Sequence, residues 1–513
     1  MFHFVTKVFQ NYGTNVTLWI SLITLLVTYI YYDVRKKQNF WEKMGVPFIK
    51  PRFFVGSLEM MSSKSLAEKL QTIYRTYPDA RCHGVNQFSS PILVIKDPDL
   101  IKQVTVKDFD HFVNHRSMAI LDNDPFWSKN LFASRDERWR NLRSTLSPSF
   151  TSSKMKIMFS LIDECAQQFV DYFKKQDEEV VELEVKDALS RYTTDVIATT
   201  AFGVRCNSLQ DKKNDFYVMG EDASNIGGLR LLKFVFYEIS PFLCKLLQVR
   251  IIPTNVTNYF SKIIEDTVRT RRDKNIVRPD MIQLLMEAQN NDANNQNKRE
   301  ITLDDINSQA FIFFLAGFET VSTFLTFTLY ELALNRDVQD RLRQELDSVK
   351  ETITYETLLG LKYLDMVVCE SLRKWPPAIV TDRQVTKNFT IEPEKPGEKE
   401  ILLEKGLTCW IPIIGLHTNA KFYPNPEKFD PERFSEENKH KIHSSVYMPF
   451  GAGPRNCIGS RFAILESKLI IFYILRNFEV VQIEKTQVPM VLDKKKMNLA
   501  AQGGVWLGLK KIK

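Results

Sequence analysis

The sequence predicts a mainly α fold with small β-sheets, preceded by one N-terminal transmembrane helix. Three observations carry that expectation. Residues 16–32, VTLWISLITLLVTYIYY, contain no charge. Most of the chain beyond residue 97 falls into long helical patterns, with short mixed elements around residues 90–97 and again after residue 380. Near the end, the glycine-rich loop Phe450-Gly451-Ala452-Gly453-Pro454-Arg455-Asn456-Cys457-Ile458-Gly459 runs into an apolar helical stretch, Ile464 to Ile471.

The elements follow in order. The uncharged run has 17 residues, which at about 1.5 Å each reach roughly 26 Å, close to the thickness of a bilayer core. Trp19, Tyr29, Tyr31 and Tyr32 suit its two interfaces. Arg35-Lys36-Lys37 follows, which puts the rest of the chain on the cytosolic side. No small-residue cleavage site follows, so the run reads as an anchor, not a cleaved leader. Residues 45–51, GVPFIKP, are punctuated by proline and read as a hinge. The expected organisation is an anchor with its basic stop at 1–37, a hinge at 38–52 and a catalytic domain at 53–513. Residues 90–97, SPILVIKD, read as a strand, and Asp292 to Asn297 as a polar loop. The end, Lys510-Lys511-Ile512-Lys513, resembles a dilysine retrieval tail of the endoplasmic reticulum.

Composition narrows the function. The chain has 513 residues, 44% hydrophobic and 26% charged, as in an ordinary globular protein. Its 36 phenylalanines suit an apolar pocket or membrane contact. A net charge of +7 is spread along the chain and is no nucleic-acid footprint. Seven cysteines without repeating spacing argue against a disulfide framework or a zinc site, and point to the reducing cytosol. Asn456 stands where a dinucleotide loop would need its third glycine, and no flavin or nicotinamide fingerprint is completed in the chain.

The loop around Cys457 has the chemistry of a metal-thiolate site. A thiolate is a strong electron donor to a haem iron and favours O–O cleavage. The following helix would place the sulfur at a helix N-terminus, where free N–H groups favour negative charge. Gly451, Gly453 and Gly459 would turn the backbone sharply. Arg455 would pair with a propionate, and Phe450 would cover the sulfur. Upstream, Thr302-Leu303-Asp304-Asp305 reads as a capping box opening an apolar helix. Within it, Ala316-Gly317-Phe318-Glu319-Thr320 is a poor helix interior that leaves room for something to approach. Thr320 can bond back to a carbonyl one turn earlier and open the helix locally, and Glu319 can feed protons. Trp139 and Arg143 share a helix face, as do Glu370 and Arg373 before Trp375-Pro376-Pro377 stops their helix.

The loop resembles the haem-binding signature of the cytochrome P450 family, and the resemblance extends over nearly the whole chain. It implies the cytochrome P450 fold, haem b as cofactor and Cys457 as the axial metal ligand. It implies that Arg455, Trp139 and Arg143 hold haem propionates, with Arg383 a further candidate. His115 stands where some relatives carry a propionate-binding arginine. Glu370, Arg373 and Arg433 would form a structural lock behind the haem. Thr320 and Glu319 would be catalytic, delivering protons for O–O cleavage. The implied partners are NADPH–cytochrome P450 reductase, cytochrome b5 and membrane lipid, with NADPH used only through the reductase. Arg138 and Arg140 are either part of the reductase surface or plain surface charges. Residues 141–152, NLRSTLSPSFTS, resemble the animal broad-specificity drug-metabolising subfamily and its nematode relatives. That implies a lipophilic substrate: a xenobiotic, steroid or fatty acid.

Apolar stretches expected to line its pocket are Ile120-Leu121 with Phe126, the phenylalanines 234, 236 and 242, residues 311–318, residues 378–380, and the end segment near Val505. The run Phe234-Val235-Phe236-Tyr237 reads equally as a segment dipping into the membrane. The reading is a single-pass monooxygenase of the endoplasmic reticulum with a cytosolic catalytic domain. Two alternatives stand beside it. A haem-thiolate isomerase or dehydratase of peroxides would need no reductase. A non-enzymatic haem- or lipid-binding sensor would be indifferent to Thr320→Ala.

Overall fold

The computed structural model describes residues 20–512, apart from 22–23, 26–27, 30, 33, 38, 53–55, 58–63, 117–123, 226–229, 231, 234–235, 237–240, 279 and 294–300. The described positions between 20 and 37 are helical, and Ile20, Leu25, Tyr29 and Tyr32 are exposed. The remainder of the expected anchor, Ile120-Leu121 and most of the 234–237 run lie outside the described residues. The Met281–Ala293 helix reaches into the asparagine-rich stretch, of which 294–297 are likewise outside.

The segment after residue 38 is stitched to the body. Trp41 is fully buried and its indole N–H donates to the Val85 carbonyl at 3.0 Å. Gly84 makes that seat: a Cβ there would lie 2.3 Å from the Trp41 ring. Strands β1 (Cys82–Gln87) and β2 (Ser90–Ile95) form an antiparallel hairpin. Numbering strands in chain order, β3 is Val180–Glu184, β4 Thr381–Gln384, β5 Phe389–Ile391, β6 Ile401–Leu403, β7 Thr408–Ile411, β8 Phe478–Val481 and β9 Trp506–Lys511. The first sheet runs β1-β2-β7-β4, the second β3-β9-β8, and β5 pairs with β6. Register sets Arg383 of β4 opposite Cys409 of β7. The expected strand at 90–97 is thus β2, and β1 before it had too little alternation to be read.

Helices make up the rest. The longest, Leu303–Leu334, has 32 residues and packs against the Val185–Ile197, Thr254–Lys274, Lys362–Lys374 and Ser460–Asn477 helices. It is apolar enough to cross a membrane, but most of it is buried within the protein, as expected of a core helix hydrophobic on all sides. Its first turn carries the expected capping box: Thr302 Oγ1 accepts from Asp305 N at 3.2 Å, and Asp305 Oδ2 accepts from Thr302 N at 3.0 Å. On one flank Phe202, Phe216, Phe260 and Phe314 pack ring against ring, with Phe260 and Phe314 centred 4.8 Å apart. Each such buried ring contributes about 1.5–3 kcal/mol.

Candidate active site

The Cys457 loop is shaped by two glycines. Gly451 and Gly453 have φ of +75° and +69°, which L side chains rarely adopt. Gly453 is also pressed on the Thr105 carbonyl, where a Cβ would lie 1.8 Å from the oxygen. Gly459 differs from expectation. It has φ −90° and precedes the Ser460–Asn477 helix, and a Cβ there would meet nothing closer than Phe150 at 3.7 Å. The sharp turning belongs to the first two. Cys457 N–H donates to the Phe450 carbonyl at 2.8 Å, closing the loop. Cys457 is exposed although protein crowds it. Burial pushes the thiol up, while the Gly459 N–H and the Arg143 charge pull it down.

The Asp136–Leu146 helix grips this loop twice. Arg143 donates to the Asn456 carbonyl at 2.8 Å and to its side-chain oxygen at 2.7 Å. One turn earlier, Trp139 is buried between Phe109 and Arg455, whose guanidinium carbon lies 4.1 Å over its ring. Arg455 donates to the carbonyls of Val113 and Ser134, each at 2.7 Å. Arg383 donates to the carbonyls of Asp382 at 2.7 Å and Ala452 at 3.1 Å. Its Nε is buried without a partner. His115 stacks on Phe132, with its Nδ1 3.0 Å from Asp382 Oδ1.

These groups form an electropositive shell. Burial pulls Arg455 down to about 9, with Arg383 acting the same way and Asp382 against it. Burial pulls Arg383 down to about 10, opposed by Asp382. Burial lowers His115 as well, again against Asp382. Burial alone would push Asp382 up, but His115, the Arg116 N–H and Arg383 together hold it below the usual range. Two buried arginines, a third at the loop and one spare guanidinium N–H, beside an accessible sulfur, fit a cofactor with a thiolate-bound metal and acidic substituents. The candidate reductase-facing arginines are tied down: Arg138 to Asp305 at 3.1 Å, Arg140 to Asp110 at 2.6 Å.

In the central helix, Thr320 Oγ1 donates to the Ala316 carbonyl at 2.5 Å, the expected back-bond. Ala316 and Thr320, one turn apart, are exposed in the middle of a helix packed on several others, so open space faces them. Two expectations need correction. The helix is not opened by this bond; it runs unbroken from Leu303 to Leu334. The room at Gly317 is taken by Ile197, whose Cδ1 would lie 2.5 Å from a Cβ there. Glu319 is held elsewhere, 3.2 Å from Lys186 Nζ, with Thr323 and Asn498 also donating to its Oε1. Among the expected pocket residues, Phe311, Phe314 and Phe318 turn into the aromatic core and are buried.

Behind the loop, the Glu370–Arg373–Arg433 cluster is present. Arg373 binds Glu370 bidentately at 2.7 and 2.8 Å, and Arg433 Nε lies 3.5 Å from Glu370 Oε1. His417 links this cluster to the segment before the cysteine loop: its Nδ1 meets the Arg373 carbonyl and its Nε2 accepts from Met448 N, both at 3.1 Å. Sequence reading missed Thr105, Asp382, Lys186 and Asn498 as neighbours of the site. They reach it from distant segments, and none carries a local motif.

Comparison with known proteins agrees with this geometry. The family model described as Cytochrome P450 matches residues 46–506. The chain is 43% identical to cytochrome P450 9e2 of Blattella germanica, over 96% of this chain and 97% of that protein. It is 40% identical to probable cytochrome P450 9f2 of Drosophila melanogaster, over 96% and 99%. It is 34% identical to cytochrome P450 6j1 of Blattella germanica, over 98% and 99%. A match of that extent leaves one conclusion: the chain belongs to the cytochrome P450 family and is a monooxygenase that uses haem b and electrons supplied by a reductase.

Proposed function

We propose that this monooxygenase inserts one oxygen atom of O2 into a lipophilic small molecule, a xenobiotic, steroid or fatty acid. Electrons come from NADPH through NADPH–cytochrome P450 reductase, with cytochrome b5 as a second donor. Residues 1–37 anchor the chain once in the endoplasmic reticulum membrane, 38–52 connect, and 53–513 form the cytosolic catalytic domain. The observation that carries the reading is the exposed Cys457, its sulfur under the Gly459 N–H and the Arg143 charge, in a loop that Arg383 and Arg455 tie to neighbouring segments.

Haem b held through that sulfur would supply the redox chemistry, the two-electron, two-proton reduction of O2 that gives one oxygen to the substrate and one to water. The chain's residues do the rest. Cys457 would hold the haem iron through its sulfur, and the Gly459 N–H favours its thiolate. Phe450 shields it. Arg383, with its spare Nε, takes a propionate. Arg455, Arg143, Trp139 and His115 shape the same edge, through charge and by holding the loop in place. Thr320, whose own proton is committed to the Ala316 carbonyl, presents its oxygen as an acceptor that holds a water or proton. Glu319 relays protons to it.

The test is turnover of a panel of lipophilic compounds in membranes. Product formation that requires NADPH and reductase, and falls in Thr320→Ala while peroxide release rises, supports the reading. Conversion of an organic peroxide with no demand for reductase would replace it with the isomerase reading.

A further inference from the structure

Glu319 is anchored by three residues, two of them from other segments of the chain, and Thr320 is not among them. Lys186, in the first turn of the Val185–Ile197 helix, brings its Nζ to 3.2 Å from Glu319 Oε1. The same ammonium donates to Ser322 Oγ at 2.7 Å, Thr323 Oγ1 at 2.8 Å and the Glu319 carbonyl at 3.2 Å. Asn498, from the loop closed by the Leu492–Ala501 bridge, donates to the same carboxylate oxygen. Thr323 adds a hydroxyl at 3.3 Å. An ammonium has three protons, and here every one has an acceptor on the central helix.

We propose that Lys186 is a positioning residue for proton delivery: with Asn498 it parks the Glu319 carboxylate away from the Thr320 hydroxyl and so meters proton flow into the open space there. The assignment rests on the reading of Thr320 and Glu319 as the proton carriers. Burial works against the charge on Lys186, Lys496 adds to that, and Glu319 and Glu184 restore it. The charge on Lys186 therefore leans on Glu319. Removing the cation frees the carboxylate to swing on its own side chain toward that space, where protons then arrive before oxygen transfer is ready and peroxide is lost.

The experiment uses full-length holoprotein in membranes with Lys186→Met, Lys186→Arg and Asn498→Ala, each in the parent and in a Glu319→Gln background. Two quantities are read: the C–O stretch of the reduced, carbon monoxide-bound protein, which senses charge placed near the bound gas, and the share of electrons ending in product. Lys186→Met is expected to shift the stretch and lower the product share about threefold or more. Lys186→Arg retains both values. Asn498→Ala moves both in the same direction by less, and it serves if Lys186→Met fails to accumulate. In the Glu319→Gln background neither substitution has a further effect. Unchanged values in Lys186→Met and Asn498→Ala, or equal changes with and without the Glu319 carboxylate, overturn the proposal. A parent protein lacking thiolate-type absorption would instead overturn the reading of Cys457, and this assignment with it.

Discussion

Arg143 holds Asn456 by two hydrogen bonds, one to its backbone carbonyl and one to its side chain, and so pins the residue just before the cysteine to the Asp136–Leu146 helix. Hydrogen bonds made by a charged donor contribute about 1.5–3 kcal/mol each when well shielded, and partial exposure lowers that here. Arg143→Ala should therefore loosen the loop by about 1–3 kcal/mol in total. Haem loss to an apo-globin acceptor should speed up roughly tenfold. An unchanged rate would mean that the loop is held by Arg455 alone.

The glycines of the loop should not behave alike. Gly453→Ala puts a Cβ into the Thr105 carbonyl at a positive φ, and both partners are backbone. It should abolish haem incorporation, measured as haem per polypeptide. Gly459→Ala meets only ordinary contact at 3.7 Å and should retain nearly all of it.

The Glu370–Arg373 pair is fully buried and hydrogen-bonded on both sides. Removing one partner of such a pair costs about 3–5 kcal/mol, because the other charge is left buried alone. Arg373→Met should lower the urea midpoint accordingly, and the double substitution Glu370→Met with Arg373→Met should recover part of the loss.

Glu466 is buried in the Ser460–Asn477 helix, and neither carboxylate oxygen has a partner. Burial pushes its carboxyl well above the usual range, so the folded protein holds it neutral. A group raised in the folded state contributes its full stability below the unfolded value near 4.5 and loses it as pH rises toward the folded value. Glu466→Gln cannot ionise. Its stability relative to the parent should rise by about 1.4 kcal/mol per pH unit across that window, measured by urea unfolding at pH 5.5 and pH 7.5. A gap independent of pH would show that Glu466 is ionised in place.

Much of the site was legible because its chemistry is local. The cysteine loop, the Thr302 capping box, the Thr320 back-bond and the Glu370–Arg373 spacing each lie within a few residues, where turn and helix geometry decide the outcome. The partners that complete them were not legible. Arg143 meets Asn456 across more than three hundred residues, and Lys186 meets Glu319 across more than one hundred. Nothing in either local sequence encodes the meeting. Gly317 shows the limit most clearly: its small size was legible, but not that Ile197 fills the space it leaves. The Asp382 carboxylate, set among His115, Arg383 and Arg455, follows from sheet register and is invisible to spacing.

The most direct test of the central claim is the absorption spectrum of the reduced, carbon monoxide-bound protein in membranes, measured beside Cys457→Ala. A strongly red-shifted Soret band in the parent, absent from Cys457→Ala, is the predicted result. A well-folded parent that binds haem without that shift would contradict the assignment of Cys457 as the thiolate ligand.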